Sequence, residues 1–301
     1  MQLAVYCLVY PFLWIISKLP WRIFYTLSTG VYIITYYLIG YRKKTVTTNL
    51  KLAFPNKTDR ELKKIRKAAY KHMCDMFLEM IRSLSISKNE MINRFRVTNI
   101  EKIQELEAKG DSIIVMMGHY NSYEWTNAID LISDFKCVGI YKPIKNKYFD
   151  RLAHRIRGRF DARLIPSAKV FREMTKDQRK ENPELSLYGL ISDQSPKLNH
   201  GMFWTSFMGI TVPTFMGGEV LSKRLGLSIF YLHVQKVKRG YYEATLIPIS
   251  EDPKSEEDYT ITKTFTKLLE TQIKQKPENY LWTHKRWKHR NAEPPKNAVI
   301  A

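Results

Sequence analysis

A formal net charge of +20 on a 301-residue chain calls for an anionic partner: nucleic acid, an anionic membrane surface, or an acidic or phosphorylated substrate. The length allows one large or two small domains with a real core, and 44% apolar with 13% aromatic residues argue for a folded, greasy protein. Cys7, Cys74 and Cys137 are scattered, odd in number and without metal-ligand spacing, which excludes a disulfide framework and a zinc site and suits a reducing compartment.

The chain opens with two apolar stretches. Leu3 to Ile16 carries no charge, and Ile23 to Ile39 follows after Ser17-Lys18-Leu19-Pro20-Trp21-Arg22. As helices they would be about 21 and 25 Å long, short of a ~30 Å hydrocarbon core unless flanking residues extend them. A signal peptide fits poorly, because no basic segment precedes the run and no small-residue cleavage site follows it. Tyr and Trp through and beside both stretches and the Arg42-Lys43-Lys44 cluster after them favour an anchor, spanning or interfacial, on an anionic cytoplasmic leaflet. Two buried core helices are the alternative. Residues 1–44 are thus expected to form a membrane-anchoring segment.

Residues 45–94 read as helical. Thr58-Asp59-Arg60-Glu61 is a capping box, followed by an apolar stripe through Leu62, Ile65, Ala69, Met73, Met76, Phe77, Met80, Ile81 and Leu84. His72 on its margin reads as a structural histidine. From residue 95 to 301 the pattern becomes α/β. Strands are expected near 95–98, 112–117, 136–141, 161–165, 185–191, 227–236 and 241–249, with a hairpin at Lys238-Arg239-Gly240. Helices are expected near 100–109, 122–132, 146–158, 167–176, 213–225 and 257–275. The polar stretch from Thr175 to Pro183 reads as a surface loop. This alternation predicts a mixed, mostly parallel sheet flanked by helices, with a late antiparallel edge.

Chemistry concentrates where strands end. The apolar run Ile113 to Met117 stops at Gly118, and His119 and Glu124 flank a polar turn. Histidine removes protons near neutral pH, and a carboxylate against its other ring nitrogen would fix the tautomer. A working pair needs a strand-to-helix turn between the two residues, since five positions on one helix lie about 140° apart. Equally, Asn121 and Glu124 could form a capping box. Asp193 and Gln194 follow another apolar strand and would lie at the same sheet edge, although an ordinary Asp turn explains them too. Lys142 follows a third strand, and Lys285 and Arg286 sit in a basic C-terminal run around Trp287. Such charges suit a phosphorylated or acidic ligand, though most surface charges are merely solvated. No serine or cysteine stands in a nucleophile elbow, which favours direct attack by an activated substrate hydroxyl. Neither a cofactor nor a metal is expected. The lack of a zinc-finger or RNP pattern argues against nucleic acid.

With these residues in hand, the chain resembles the late lauroyl/myristoyl acyltransferases of lipid A biosynthesis, within the lysophospholipid-acyltransferase-like group. His119, four residues, then Glu124 is similar to the catalytic motif of that group. Asn49-Leu50-Lys51-Leu52-Ala53-Phe54-Pro55 resembles the segment after the anchor, and Tyr141-Lys142-Pro143-Ile144-Lys145-Asn146 the family's Tyr-Arg-Pro block. Ile191-Ser192-Asp193-Gln194, Phe207-Met208-Gly209 and Tyr280 to Lys288 resemble the later blocks. Two departures stand out: Asn121-Ser122-Tyr123 replaces Gly-Asn-Trp, and Lys142 replaces an arginine, keeping the charge without the bidentate geometry.

The resemblance implies acyl transfer from an acidic acyl-carrier protein to a hydroxyl of a lipid A precursor, at the cytoplasmic face of the inner membrane. In that reading His119 is the general base, Glu124 orients it, and Lys142, Asp193, Gln194, Lys285 and Arg286 contact substrate. The same chemistry on a lysophospholipid or aminoacyl-type lipid is the nearest alternative, and a non-catalytic basic membrane-binding protein is a more distant one.

Overall fold

The computed structural model describes residues 2–198 and 203–301. The first part is helical: α1 (Gln2–Lys18), α2 (Trp21–Ile33) continued by a π-helical turn (Ile34–Ile39), α3 (Lys43–Ala53), α4 (Asp59–Arg82) and α5 (Lys88–Arg94). Strands then enter: β1 (Phe95–Val97), α6 (Ile100–Lys109), β2 (Ile113–Met117), a 3-10 helix (Tyr123–Leu131) and β3 (Lys136–Tyr141). They are followed by α7 (Lys147–Arg157), β4 (Arg163–Pro166), α8 (Val170–Gln178) and β5 (Ser186–Ile191). The last part comprises β6 (Phe203–Phe207), β7 (Ile210–Pro213), α9 (Gly217–Leu225), β8 (Ile229–Lys238), β9 (Tyr241–Ser250), α10 (Thr260–Gln275) and β10 (Val299–Ile300).

Seven strands form the main sheet in the order β1-β9-β8-β2-β5-β3-β4. The five from β8 to β4 run parallel, β9 turns back antiparallel on β8, and β1 pairs parallel with β9. The expected mostly parallel sheet is present, and β1 covers the reversed hairpin, so the antiparallel pair is internal to the edge. The hairpin turns at Arg239-Gly240, where Gly240 takes a φ of 75° that a side chain would resist. A small sheet, β10-β6-β7, was not signalled by the sequence.

Strand β2 shows why its sequence is an unbroken apolar run. Ile114 and Met116 face a core with Leu221, Ile261, Phe265 and Leu269 from α9 and α10. Ile113, Val115 and Met117 face a second core with Ile103, Trp125 and Ile129. A parallel strand covered on both faces has no polar side to reveal.

The helical segment is bolted to this frame. Thr58 and Glu61 form the expected capping box, with Glu61 Oε2 accepting from Thr58 N at 2.8 Å. Further along α4, the buried Glu79 carboxylate accepts from Tyr25 of α2 at 2.8 Å and from Tyr242 of β9 at 2.7 Å. His72 is buried as expected, and burial holds it well below its ordinary pKa, with the nearby Lys236 acting the same way. The expected loop after Thr175 instead begins as the end of α8, because Asp177 is buried and gripped by Arg163. Among the described residues no single helix is long and apolar enough to cross a membrane; the Trp21–Ile39 helix and Lys43–Ala53 meet at 94°.

Tyr242→Phe leaves Glu79 Oε2 without its donor inside the protein. It is expected to cost about 1–3 kcal/mol of unfolding free energy, measured by denaturant titration of the full chain.

Candidate active site

The site grows from the paired ends of β2 and β5. Met117 stands opposite Ile191, and one step beyond, Ser192 N donates to Met117 O at 3.1 Å. Both chains leave the sheet at this point. Gly118 follows without a side chain; a Cβ there would stand 2.7 Å from Leu269 Cδ1 of α10, so α10 packs directly on the strand end. The C-terminal segment then lines the turn, with Leu281 N donating to His119 O at 3.0 Å and Asn121 N to Asn279 O at 3.0 Å. Asn121 has a φ of 52°, a left-handed conformation that asparagine tolerates better than most residues, and its amide donates to Val234 O at 2.6 Å.

This turn holds His119 with 16% of its side chain exposed. Its Nδ1 lies 2.6 Å from Asp193 Oδ1, and Asp193 is almost wholly buried. Burial alone would push the His119 pKa down, but the Asp193 charge and hydrogen bond outweigh it and the net shift is upward. Burial would likewise raise the Asp193 carboxyl, yet the His119 charge and hydrogen bonds bring it down to about 2. An ionised Asp193 accepts from Nδ1–H, so the basic lone pair of neutral His119 is on Nε2. There it meets the side-chain amide of Gln194 at 3.2 Å. Tyr123 presents its ring edge-on to the imidazole, with centroids 5.0 Å apart.

Among the described residues the hydrogen-bond partners of the His119 ring are Asp193 and Gln194, not the expected Glu124. Its carboxylate is taken by the Arg157 fork from the end of α7, Nε to Oε2 at 2.8 Å and Nη2 to Oε1 at 2.6 Å. The capping-box alternative fails as well. Ser122 occupies the N-cap position of a 3-10 helix and neither it nor Asn121 caps the helix with its side chain. Glu124 and Arg157 are both near enough to act electrostatically on His119, the Glu124 charge raising its pKa and that of Arg157 lowering it. Sequence spacing did not reveal Arg157 as the partner of Glu124, since the two residues lie on different elements 33 positions apart.

The remaining candidates separate. Asp193 and Gln194 contact His119. Arg286 is buried, with Nη1 donating to Pro213 O at 3.0 Å, Nη2 to Thr214 Oγ1 at 3.1 Å, and its guanidinium over the Phe207 ring. It braces the small sheet against the C-terminal segment. Lys142 lies just past β3 on the same edge of the sheet and is exposed, as is Lys285. Burial lowers the nearby His284 to about 4, leaving a neutral ring. Asn49, in the block after the N-terminal helices, donates to Trp282 O at 2.9 Å and His284 O at 2.7 Å. The two ends of the chain therefore meet beneath the site.

Arg286→Lys keeps the charge but cannot reach both Pro213 O and Thr214 Oγ1. The expected loss is about 1.5–3 kcal/mol of stability, read as a lowered denaturant midpoint.

Comparison with known proteins finds similarity over nearly the whole chain. The profile of the bacterial lipid A biosynthesis acyltransferases matches residues 1–289. The chain is 23% identical to the lipid A biosynthesis lauroyltransferase of Escherichia coli, over 92% of this chain and 89% of that protein. It is 21% identical to the palmitoleoyltransferase of the same organism, with the same coverage. The lipid A biosynthesis acyltransferase of Haemophilus influenzae is 22% identical over 81% of this chain and 76% of that protein. Because one profile takes in the N-terminal helices, the β2–β5 edge and the C-terminal block together, the chain belongs to the bacterial lipid A biosynthesis acyltransferase family.

Proposed function

We propose that the protein moves a fatty acyl chain from an acyl-carrier-protein thioester to a hydroxyl of a lipid A precursor, at the cytoplasmic face of the inner membrane. The observation that carries the chemistry is the tautomer of His119: Asp193 takes Nδ1–H, and Nε2 is left as the base. Nε2 removes the acceptor's proton as its oxygen attacks the thioester carbonyl. When the tetrahedral intermediate collapses, the Nε2 proton passes to the departing thiolate, and His119 returns to its starting state. Asp193 stabilises the imidazolium in between. Gln194 yields Nε2 to the acceptor hydroxyl and stays beside it.

Glu124 acts as a positioning residue. Its carboxylate engages Nε and Nη2 of Arg157 and leaves Nη1 off the clamp, so the guanidinium can meet the charge developing on the thioester oxygen. The exposed Lys142 and Lys285 and the overall charge of +20 suit an acidic carrier protein and a phosphorylated acceptor. Exposed apolar residues on α1 and α2 support seating at a membrane, where such an acceptor resides. Purified full-length protein, offered carrier-protein and CoA thioesters with a lipid A precursor or a lysophospholipid, tests the assignment by mass spectrometry. Transfer only to the lysophospholipid overturns the acceptor, and equal use of CoA thioesters overturns the donor.

His119→Ala is expected to lower kcat/KM by about 10²–10⁴-fold. Neutral His119 is the active form and its pKa is raised, so the rate should fall as the pH is lowered, through a midpoint above the ordinary 6.5. Asp193→Asn removes the charge that raises it, so the midpoint should move to lower pH while the rate drops at all pH values. A pH profile of kcat/KM for both proteins measures this. Glu124→Gln, which retains one acceptor for Arg157, should cost less in kcat than Glu124→Ala.

A further inference from the structure

The way α1 and α2 are fastened speaks to how the protein meets a membrane. Helix α1 is attached near both ends to the folded body. Toward its start, Tyr6 stacks on Tyr148 with centroids 5.8 Å apart and meets Phe149 edge-on, and Tyr10 accepts from Arg155 Nη1 at 2.6 Å. All three partners belong to α7. At its end, the Ser17 and Leu19 carbonyls both accept from Arg82 of α4, the latter at 2.7 Å.

Helix α2 is fastened along its length. Trp21 donates to Glu90, Tyr25 to Glu79 at 2.8 Å, and Ser28 to the buried Asp75 at 2.6 Å. In the π-helical turn, the Tyr36 hydroxyl accepts from Arg66 Nε at 3.2 Å. At Gly40 and Arg42 the backbone adopts positive φ and the chain returns to the same body through α3 and Asn49. A helix that crossed a ~30 Å hydrocarbon core would have its ends at opposite surfaces, and a body on one side could hold only one of them. Withdrawing α2 would also take one hydrogen-bond donor from each of two buried carboxylates, Tyr25 from Glu79 and Ser28 from Asp75.

The flanks turned away from the body are apolar. Leu8, Phe12, Ile15, Leu38 and Ile39 are each more than half exposed. Up to Lys57 the chain has seven Lys and Arg and no Asp or Glu. An apolar flank rimmed only by cations matches one leaflet of an anionic bilayer.

We propose that residues 2–53 form an in-plane, re-entrant anchor that enters a single anionic leaflet, with α1 and α2 lying along it and Ile34 to Ile39 as its deepest part. This rests on the membrane seating proposed above and adds its topology: neither helix spans.

The test uses the full chain in membrane vesicles of both orientations. In a Cys7→Ser background, Cys74 and Cys137 are buried and silent. Single cysteines at Gln2, Pro20 and Tyr41 are then labelled with a membrane-impermeant maleimide, with exposed Lys267→Cys on α10 reporting the side of the catalytic body. All three positions are expected to label from the side of the control. Labelling of Gln2 or Pro20 from the opposite side, with Tyr41 on the control side, means a spanning helix and overturns the topology alone. Failure of the protein to float with phosphatidylglycerol vesicles overturns the membrane seating itself. The double variant Leu38→Asp, Ile39→Asp should weaken flotation on those vesicles by ~10-fold or more, and undiminished flotation overturns the placement of the turn in the leaflet.

Discussion

The parallel pairing of β2 with β5 is the constraint on which the rest of the site depends. Because Met117 faces Ile191 in register, residues two steps past each paired end emerge side by side. Those residues are His119 and Asp193, and their 2.6 Å contact follows from the register without help from a flexible loop. A slip of one residue along β2 would exchange the side chains packed into the two cores as well as separate the pair. The stability of the core and the geometry of the His119–Asp193 pair are therefore enforced by the same ladder.

A second layer of constraint comes from the two ends of the chain. Residues 279–281 pair with the His119 turn, and Arg42 and Asn49 reach back to hold the backbone of residues 282–284. Trp282 stacks near-parallel with Trp287, and Trp287 with Phe207, so that Arg286 sits among aromatic faces while Nη1 and Nη2 donate to Pro213 O and Thr214 Oγ1. Blocks far apart in sequence are in this way parts of one floor beneath the histidine. Their ordered recurrence made the family recognisable before any geometry was known.

How much could be read from sequence follows from the range of each interaction. The strands β2, β3 and β5 and the capping box at Thr58 carry their signals within a few residues, and each was legible. The sheet edge that gathers His119, Lys142 and Asp193 was inferable because all three follow strands in an α/β alternation. Which carboxylate touches His119 was not, since Glu124 is near in sequence while Asp193 is 74 positions away. The five-residue spacing drew attention to Glu124, and a guanidinium from α7 claimed it. The 3-10 form of Tyr123–Leu131 has a similar origin. Asn121 and Trp125 are each fixed by tertiary hydrogen bonds, to Val234 O and Glu79 O, which override the local preference for an α-helix. Strands β6 and β7 are short and joined through Met208-Gly209, and nothing in their periodicity separates them from a loop.

Helix α7 has a consequence in mechanical terms. Its first turns hold α1 through Tyr148 and Phe149, and its last residue, Arg157, holds Glu124 beside His119. The whole helix, eleven residues, is a strut about 16 Å long. Under the proposed seating of α1 in a leaflet, the fixed attachment of α1 and of Glu124 to this one helix would set the height of the imidazole relative to the acyl-chain layer. On that proposal, an acceptor whose chains stay immersed would present only those hydroxyls that lie at this height, and selection among otherwise similar hydroxyls would be a matter of elevation as much as of local contacts.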